Sequence, residues 1–162
     1  MAIDSIQLPT HGSNTIEILK HDHQVIARLL TALTMATTLD ERKGTLKYLK
    51  AALVVHNATE ENLVYPALQT IAGKKAESQH LYHDTAKADV MIFELDTMLQ
   101  KDADAEFEAK AKELQTAVAA HIANEEASAF PDLQEHADSV QLEMLTSSVR
   151  EFRDSFQFDP RS

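Results

Sequence analysis

His56-Asn-Ala-Thr-Glu60-Glu61-Asn-Leu-Val-Tyr65-Pro66 and His121-Ile-Ala-Asn-Glu125-Glu126-Ala-Ser-Ala-Phe130-Pro131 are two copies of one pattern. In each, a His is followed by Glu at +4 and +5, an aromatic at +9, Pro at +10 and Leu at +12; six of the thirteen positions from His56 to Leu68 are identical in His121 to Leu133. Residues four apart on a helix stack on one face. Each copy therefore aims one imidazole and one carboxylate in a common direction, and two copies suggest a two-fold set of metal ligands. The spacing also separates the paired glutamates. At 3.6 residues per turn, Glu60 lies about 40° around the helix from His56 and Glu61 about 140°. Glu60 and Glu125 are the ligand candidates, whereas Glu61 and Glu126 should point to solvent or support the ligands from behind.

Composition narrows the remaining possibilities. The chain has 162 residues, enough for one domain with a sizeable core. Gly and Pro number only 3 and 4, and β-branched residues form no alternating runs, which favours an all-helical protein. A net charge of −11 argues against nucleic acid and anionic membranes as partners. The chain contains no cysteine, so thiolate metal sites, disulfides and thiol catalysis are excluded. The N-terminal stretch lacks the charged and apolar regions of a secretory signal, and no apolar run approaches a membrane span. The expectation is a cytoplasmic protein.

Periodicity predicts four long helices. Residues 1–12 read as a tail and 13–158 as the helical domain, with 159–162 as a second tail. The first helix starts near Asn14, with Glu17 three residues on. Its apolar stripe is Ile16, Leu19, Ile26, Leu30 and Leu33, and His23 fills the gap. The second carries Leu46, Leu49, Leu53, His56, Glu60 and Leu63, and Pro66 should kink or restart it. The third spans about 74–101 with His83, Ala86, Val90 and Phe93 on one face and Ile92, Leu95 and Leu99 on a neighbouring one. The fourth spans about 104–129 with Phe107, Ala111, Leu114, Val118, His121 and Glu125 in line. A fifth starts at Asp138, with Gln141 as capping partner and Leu145, Val149, Phe152 and Phe156 as its stripe. The predicted fold is an up-down-up-down four-helix bundle of two duplicated helix pairs, with an extra C-terminal helix packed outside it or against another subunit.

His23, His56 with Glu60, His83, and His121 with Glu125 thus interrupt stripes that face the interior. A carboxylate there is costly unless paired or bound to a cation. A four-His, two-Glu set without thiolate suits a first-row metal, and iron is the usual choice for two ions bridged by carboxylates and an oxo or hydroxo group. His80 is a further ligand candidate or a support. Tyr65 and Phe130 are expected to close the end of the bundle, and His11, His21 and His136 to lie on the surface.

The pattern resembles the hemerythrin-like, HHE cation-binding family over about residues 14 to 133. The matching pieces are Asp22-His23-Gln24, His56 to Leu68, His83 to Lys87 and His121 to Leu133. The resemblance implies a non-haem di-iron centre bridged by Glu60 and Glu125. It implies a diatomic or peroxide ligand, in oxygen or iron sensing or oxidative stress, with nitric oxide and a catalase-like activity as alternatives. An iron store or a structural metal bundle ranks below these. A sensor would need a protein partner or self-association through the C-terminal helix. Oxygen-carrying hemerythrins place two histidines four apart on the third helix; here His80 and His83 are three apart, so either His80 swings in as a fifth imidazole, or that position is open, or water or another side chain fills it, and an open position would favour reaction with oxygen or peroxide over reversible oxygen carriage. A ferritin-like carboxylate bundle fits less well, because its Glu-x-x-His motif occurs once, at Glu77–His80, and is not repeated.

Overall fold

The computed structural model describes residues 8, 12–101 and 104–155; His11, Phe156 and most of both predicted tails lie outside them. The first helix, α1 (Thr15–Met35), begins where Asn14 Oδ1 accepts the backbone N–H of Glu17 at 3.1 Å, and Glu17 reaches back to the N–H of Ser13 at 2.8 Å. Thr38 and Glu41 form a capping box that opens α2 (Leu39–Thr59). After a π-helical turn at Glu60–Val64 the chain continues as α3 (Tyr65–Thr70). Gly73, at φ 68°, lets it turn into α4 (Lys75–Leu99). The second half repeats the scheme: α5 (Asp104–Asn124), a π-helical turn at Glu125–Ala129, and α6 (Phe130–His136). Asp138 and Gln141 form the predicted capping box of α7 (Ser139–Asp154).

α1 packs against α2 and α5, and α4 against α5 and α2, which closes a four-helix ring. α7 covers α1, α2 and the first π-turn through buried Thr146, Val149 and Arg153. Among the described residues there is no strand, and no helix is long and apolar enough to cross a membrane. Two apolar clusters fill the interior. One, around Ile26, Leu30, Leu49, Leu53, Leu95 and Leu114, occupies most of the bundle. The other, around Leu19, Tyr65, Leu68, Leu81, Phe130 and Leu133, closes one end. His23, His56, Glu60, His121 and Glu125 lie between them.

The π-turns set the site's geometry. The N–H of Tyr65 bonds the carbonyl of Glu60, and that of Phe130 the carbonyl of Glu125, five residues back in each case. Such a turn accommodates one extra residue, so the helix beyond it is rotated by about 100° relative to an unbroken α-helix. Val64 and Tyr65 are consequently buried and the predicted Leu63 is only half-buried. Pro66 has no N–H to offer a preceding carbonyl, and the Glu61 carbonyl instead accepts the Tyr82 hydroxyl at 2.6 Å. The predicted restart at Pro66 takes this form.

Helix α4 departs from expectation. Its buried line is Ser78, Leu81, Thr85, Ala88, Ile92, Leu95 and Leu99, alternating three and four throughout. The expected inner face of His83, Ala86, Val90 and Phe93 is exposed, with Phe93 at 72% and Val90 at 58%. His83 and Thr85 are two residues, about 200°, apart on the helix; burying Thr85 turns His83 to solvent.

Candidate metal centre

Three helices and the two π-turns supply the polar cluster: His23 comes from α1, His56 from α2, Glu60 from the first π-turn, His121 from α5 and Glu125 from the second π-turn. His23, His56, Glu60 and Glu125 each offer a donor atom within 4.8 Å of the others'. His23 Nε2 lies 3.3 Å from Glu125 Oε2 and 3.9 Å from Glu60 Oε1. His56 Nε2 is 3.3 Å from Glu60 Oε2, and His121 Nε2 is 3.2 Å from Glu125 Oε1.

All three imidazoles turn Nε2 inward, and each has a carboxylate behind it. His23 Nδ1 is 2.8 Å from Glu126 Oε1, His56 Nδ1 is 3.1 Å from Asp22 Oδ2, and His121 Nδ1 is 3.7 Å from Asp84 Oδ2. A carboxylate hydrogen-bonded at Nδ1, as at His23 and His56, fixes the hydrogen there and leaves the Nε2 lone pair free, the usual backing of a metal-binding histidine. Asp84 stands too far from His121 Nδ1 for that bond, and this nitrogen has no hydrogen-bond partner. Phe130 stacks on the His23 ring at 5.6 Å between centroids.

The cluster's own chemistry asks for a cation. His23 Nε2, Glu60 Oε1 and Glu125 Oε2, together with His121 Nδ1, are buried without a hydrogen-bond partner. Such atoms are rare in folded proteins and expensive. Burial and the neighbouring charge of Glu125 push the Glu60 carboxyl well above the ordinary range. Burial works to raise the pKa of Glu125 too, but the close approach of the His121 and His23 rings outweighs it and holds the carboxyl low. Two buried carboxylates in this relation are relieved by a positive ion among them. The residues present fit a metal: imidazole nitrogen and carboxylate oxygen, without sulfur.

The comparisons agree with this chemistry. The family model for the hemerythrin HHE cation binding domain matches residues 14–133.

The chain belongs to the hemerythrin HHE cation binding domain family.

Among solved structures, a hemerythrin HHE cation binding domain-containing protein from Mycobacterium kansasii is similar in fold. Its TM-score is 0.72 at 24% identity, covering 89% of this chain and 90% of that one. No curated protein sequence matches the chain.

This HHE domain brings together five of the six residues expected at its centre: His23, His56, Glu60, His121 and Glu125. His83 is not with them; it is exposed on the outer face of α4. His80 is exposed as well, with Nε2 3.4 Å from Asp84 Oδ2. Glu61 and Glu126 differ from each other, since Glu61 Oε1 accepts the Thr85 hydroxyl at 2.8 Å while Glu126 backs His23. His136 is exposed and His21 half-buried.

Sequence reasoning missed three contributors. Tyr65 packs edge-on against Tyr82, as a closing residue should, but its hydroxyl also enters the site. The oxygen lies 2.8 Å from Glu125 Oε1, 3.0 Å from Glu60 Oε2 and 3.3 Å from His121 Nε2. Burial between those carboxylates drives its pKa far upward, so it stays a neutral phenol without a cation. Asp22 backs His56, and Asp84 stands 3.7 Å behind His121. Asp22 had a visible signal: an acid inside the α1 stripe beside His23. Asp84 becomes legible only once α4 is rotated to bury Leu81, Thr85 and Ala88.

Between α1, α2, α4 and α5 a small cavity reaches His56 and His121, lined also by Ile26, Leu53, Ala88 and Val118. It is small, with room for one or two water-sized molecules and too little for an organic substrate.

Proposed function

We propose that this domain holds two iron ions per chain and reacts with peroxide or oxygen rather than carrying oxygen reversibly. The observation that carries the reading is that α4 gives the centre no imidazole. Three histidines, two carboxylates and the Tyr65 phenol are the donors at hand, fewer imidazoles than the five-histidine arrangement of oxygen carriers. His56, Glu60, His23 and Glu125 would hold one ion, and His121 with the same two glutamates the other. Iron supplies redox and Lewis-acid chemistry at such a centre.

The protein's part is exclusion and orientation. Ile26, Leu53, Ala88 and Val118 wall the cavity and keep bulk water away, and its size selects for a diatomic or peroxide. Asp84, Thr85 and Asn57 give that cavity a polar side toward α4, suited to a hydrogen-bonding ligand such as peroxide. The neutral Tyr65 phenol has one hydrogen to give, within reach of both carboxylates, and can orient either. The acidic composition and the backing carboxylates support a cation-dependent role, and reaction with peroxide would place it in oxidative stress, in the cytoplasm.

The test is to load the purified protein with iron(II) anaerobically, count the iron and add peroxide and oxygen separately while recording the visible spectrum. About two irons per chain and sustained oxygen release from peroxide are expected. A reversible oxygen-dependent band without turnover would favour carriage or sensing, and zero or one iron would sink the di-iron reading.

A further inference from the structure

The C-terminal helix looks like an addition to the bundle. It begins after residue 133, where the family match ends, and much of its surface is exposed, Val140 at 60% and Met144 at 66%. Yet it sends an arginine into the interior. Arg153 is 5% exposed, and its guanidinium meets Asp22 on α1 and Thr59 at the end of α2. Nη1 donates to Asp22 Oδ1 at 3.1 Å and Nη2 donates to Asp22 Oδ2, a two-pronged grip on a carboxylate that is itself fully buried. Nε donates to the hydroxyl of Thr59 at 3.2 Å. Asp22 precedes His23 and accepts from His56 Nδ1; Thr59 precedes Glu60 and is anchored to the Val55 carbonyl at 2.7 Å. One side chain thus ties together the turns that present His23, His56 and Glu60.

We propose that Arg153 is a positioning residue of the metal centre, acting through Asp22 on the ring of His56, so that α7 is a working part of the site. This rests on the reading of the cluster as a cation site. The physical argument is local. A fork of N–H groups holds both oxygens of Asp22 in one plane, which fixes the direction from which Oδ2 meets His56 Nδ1. That contact sets the tautomer and leaves Nε2 as the free donor beside Glu60. Without the fork, Asp22 is a buried charge with one partner, and it must rotate or admit water. The three backing carboxylates are unequal in this respect. Glu126 and Asp84 are partly open to solvent, and only Asp22 is sealed and needs a counter-charge from within. The other arginine of α7, Arg150, donates to the Gly12 carbonyl at 2.9 Å on the surface and serves as a control.

Cobalt(II) is the probe: its affinity is read by competition with a coloured chelator, and its visible spectrum reports the ligand set. Arg153→Gln should weaken cobalt binding by about 10- to 100-fold and change the spectrum, while Arg150→Gln leaves both alone. Asp22→Asn should cost a similar factor, and Arg153→Gln added to it should cost little more, because both act on one ring. Nitrogen-15 NMR of the metal-free protein gives a second readout: His56 carries its hydrogen on Nδ1 in the wild type and a mixture of tautomers in Arg153→Gln. Should that variant not fold, Arg153→Lys keeps the charge without the fork and should show the same shifts at smaller amplitude. Unchanged affinity, spectrum and tautomer in a folded variant would overturn the proposal, as would fully additive losses. A wild type that binds no cobalt or iron would instead remove the cation reading on which it rests.

Discussion

Glu126 Oε1 lies 2.8 Å from His23 Nδ1, joining the second π-turn to the first helix across 103 residues of sequence. Its counterpart in the other half, Glu61, bonds Thr85 and no histidine. The repeated sequence therefore yields two different functions at equivalent positions. Glu126→Ala should lower iron or cobalt affinity by about 10- to 100-fold, whereas Glu61→Ala should change it by less than about threefold. Equal losses in a chelator-competition assay would show that the difference in their partners has no energetic weight.

Glu60→Gln should act with opposite sign in the two states of the protein. In the metal-free chain the wild-type carboxyl is raised by burial and by Glu125. Its stabilising protonated form is fully present below the unfolded pKa of about 4.3 and is lost as pH rises through the folded value. Near neutral pH, Gln removes that penalty. Relief of about 1–2 kcal/mol should raise the metal-free melting temperature by ~2–8 °C. With saturating iron the order should reverse, since wild type alone gains the full binding free energy. A calorimetric scan of both proteins with and without metal decides it.

The rotation of α4 makes a paired prediction. Leu95 is fully buried and Phe93 is 72% exposed. Leu95→Ala should cost about 2–5 kcal/mol and Phe93→Ser within about 0.5 kcal/mol in urea unfolding. His83→Ala and His80→Ala should keep the wild-type iron content. Loss of iron from His83→Ala would restore that residue to the centre and refute the observed face.

Ala88 is buried and lines the cavity between His56 and His121. Ala88→Leu should fill that space at a cost of about 1–3 kcal/mol. Iron content should stay near wild type while oxygen release from peroxide falls at least tenfold. Undiminished turnover would mean that the substrate reaches the centre by another route.

His56, Glu60, His121 and Glu125 could be read because an i, i+4 pair on an apolar stripe has one direction to point, and because the pattern is repeated. His23 was legible as the missing member of an otherwise regular stripe. On α4 the line through His83 competes with a more regular apolar line, and the regular one is buried. Extending Ile92, Leu95 and Leu99 backward by four and three reaches Ala88, Thr85 and Leu81, a better line than the one through His83 and exposed Phe93. The entry of the Tyr65 hydroxyl into the site was hidden, because the π-turn that rotates it inward leaves no mark that period counting detects. Arg153 was hidden for another reason: a cation near the end of an amphipathic helix reads as solvated until its partners are known.

The Arg153–Asp22 pair also imposes an order on biosynthesis. The two residues are 131 positions apart. At ribosomal speeds, the first is made on the order of ten seconds before the second. His23, His56, Glu60, His121 and Glu125 all precede Arg153 in the chain, so every donor can be in place while Asp22 still lacks its guanidinium. Closure of this interior waits for the last helix, and a nascent chain stalled after α6 would present the donors in a wet, unfinished pocket.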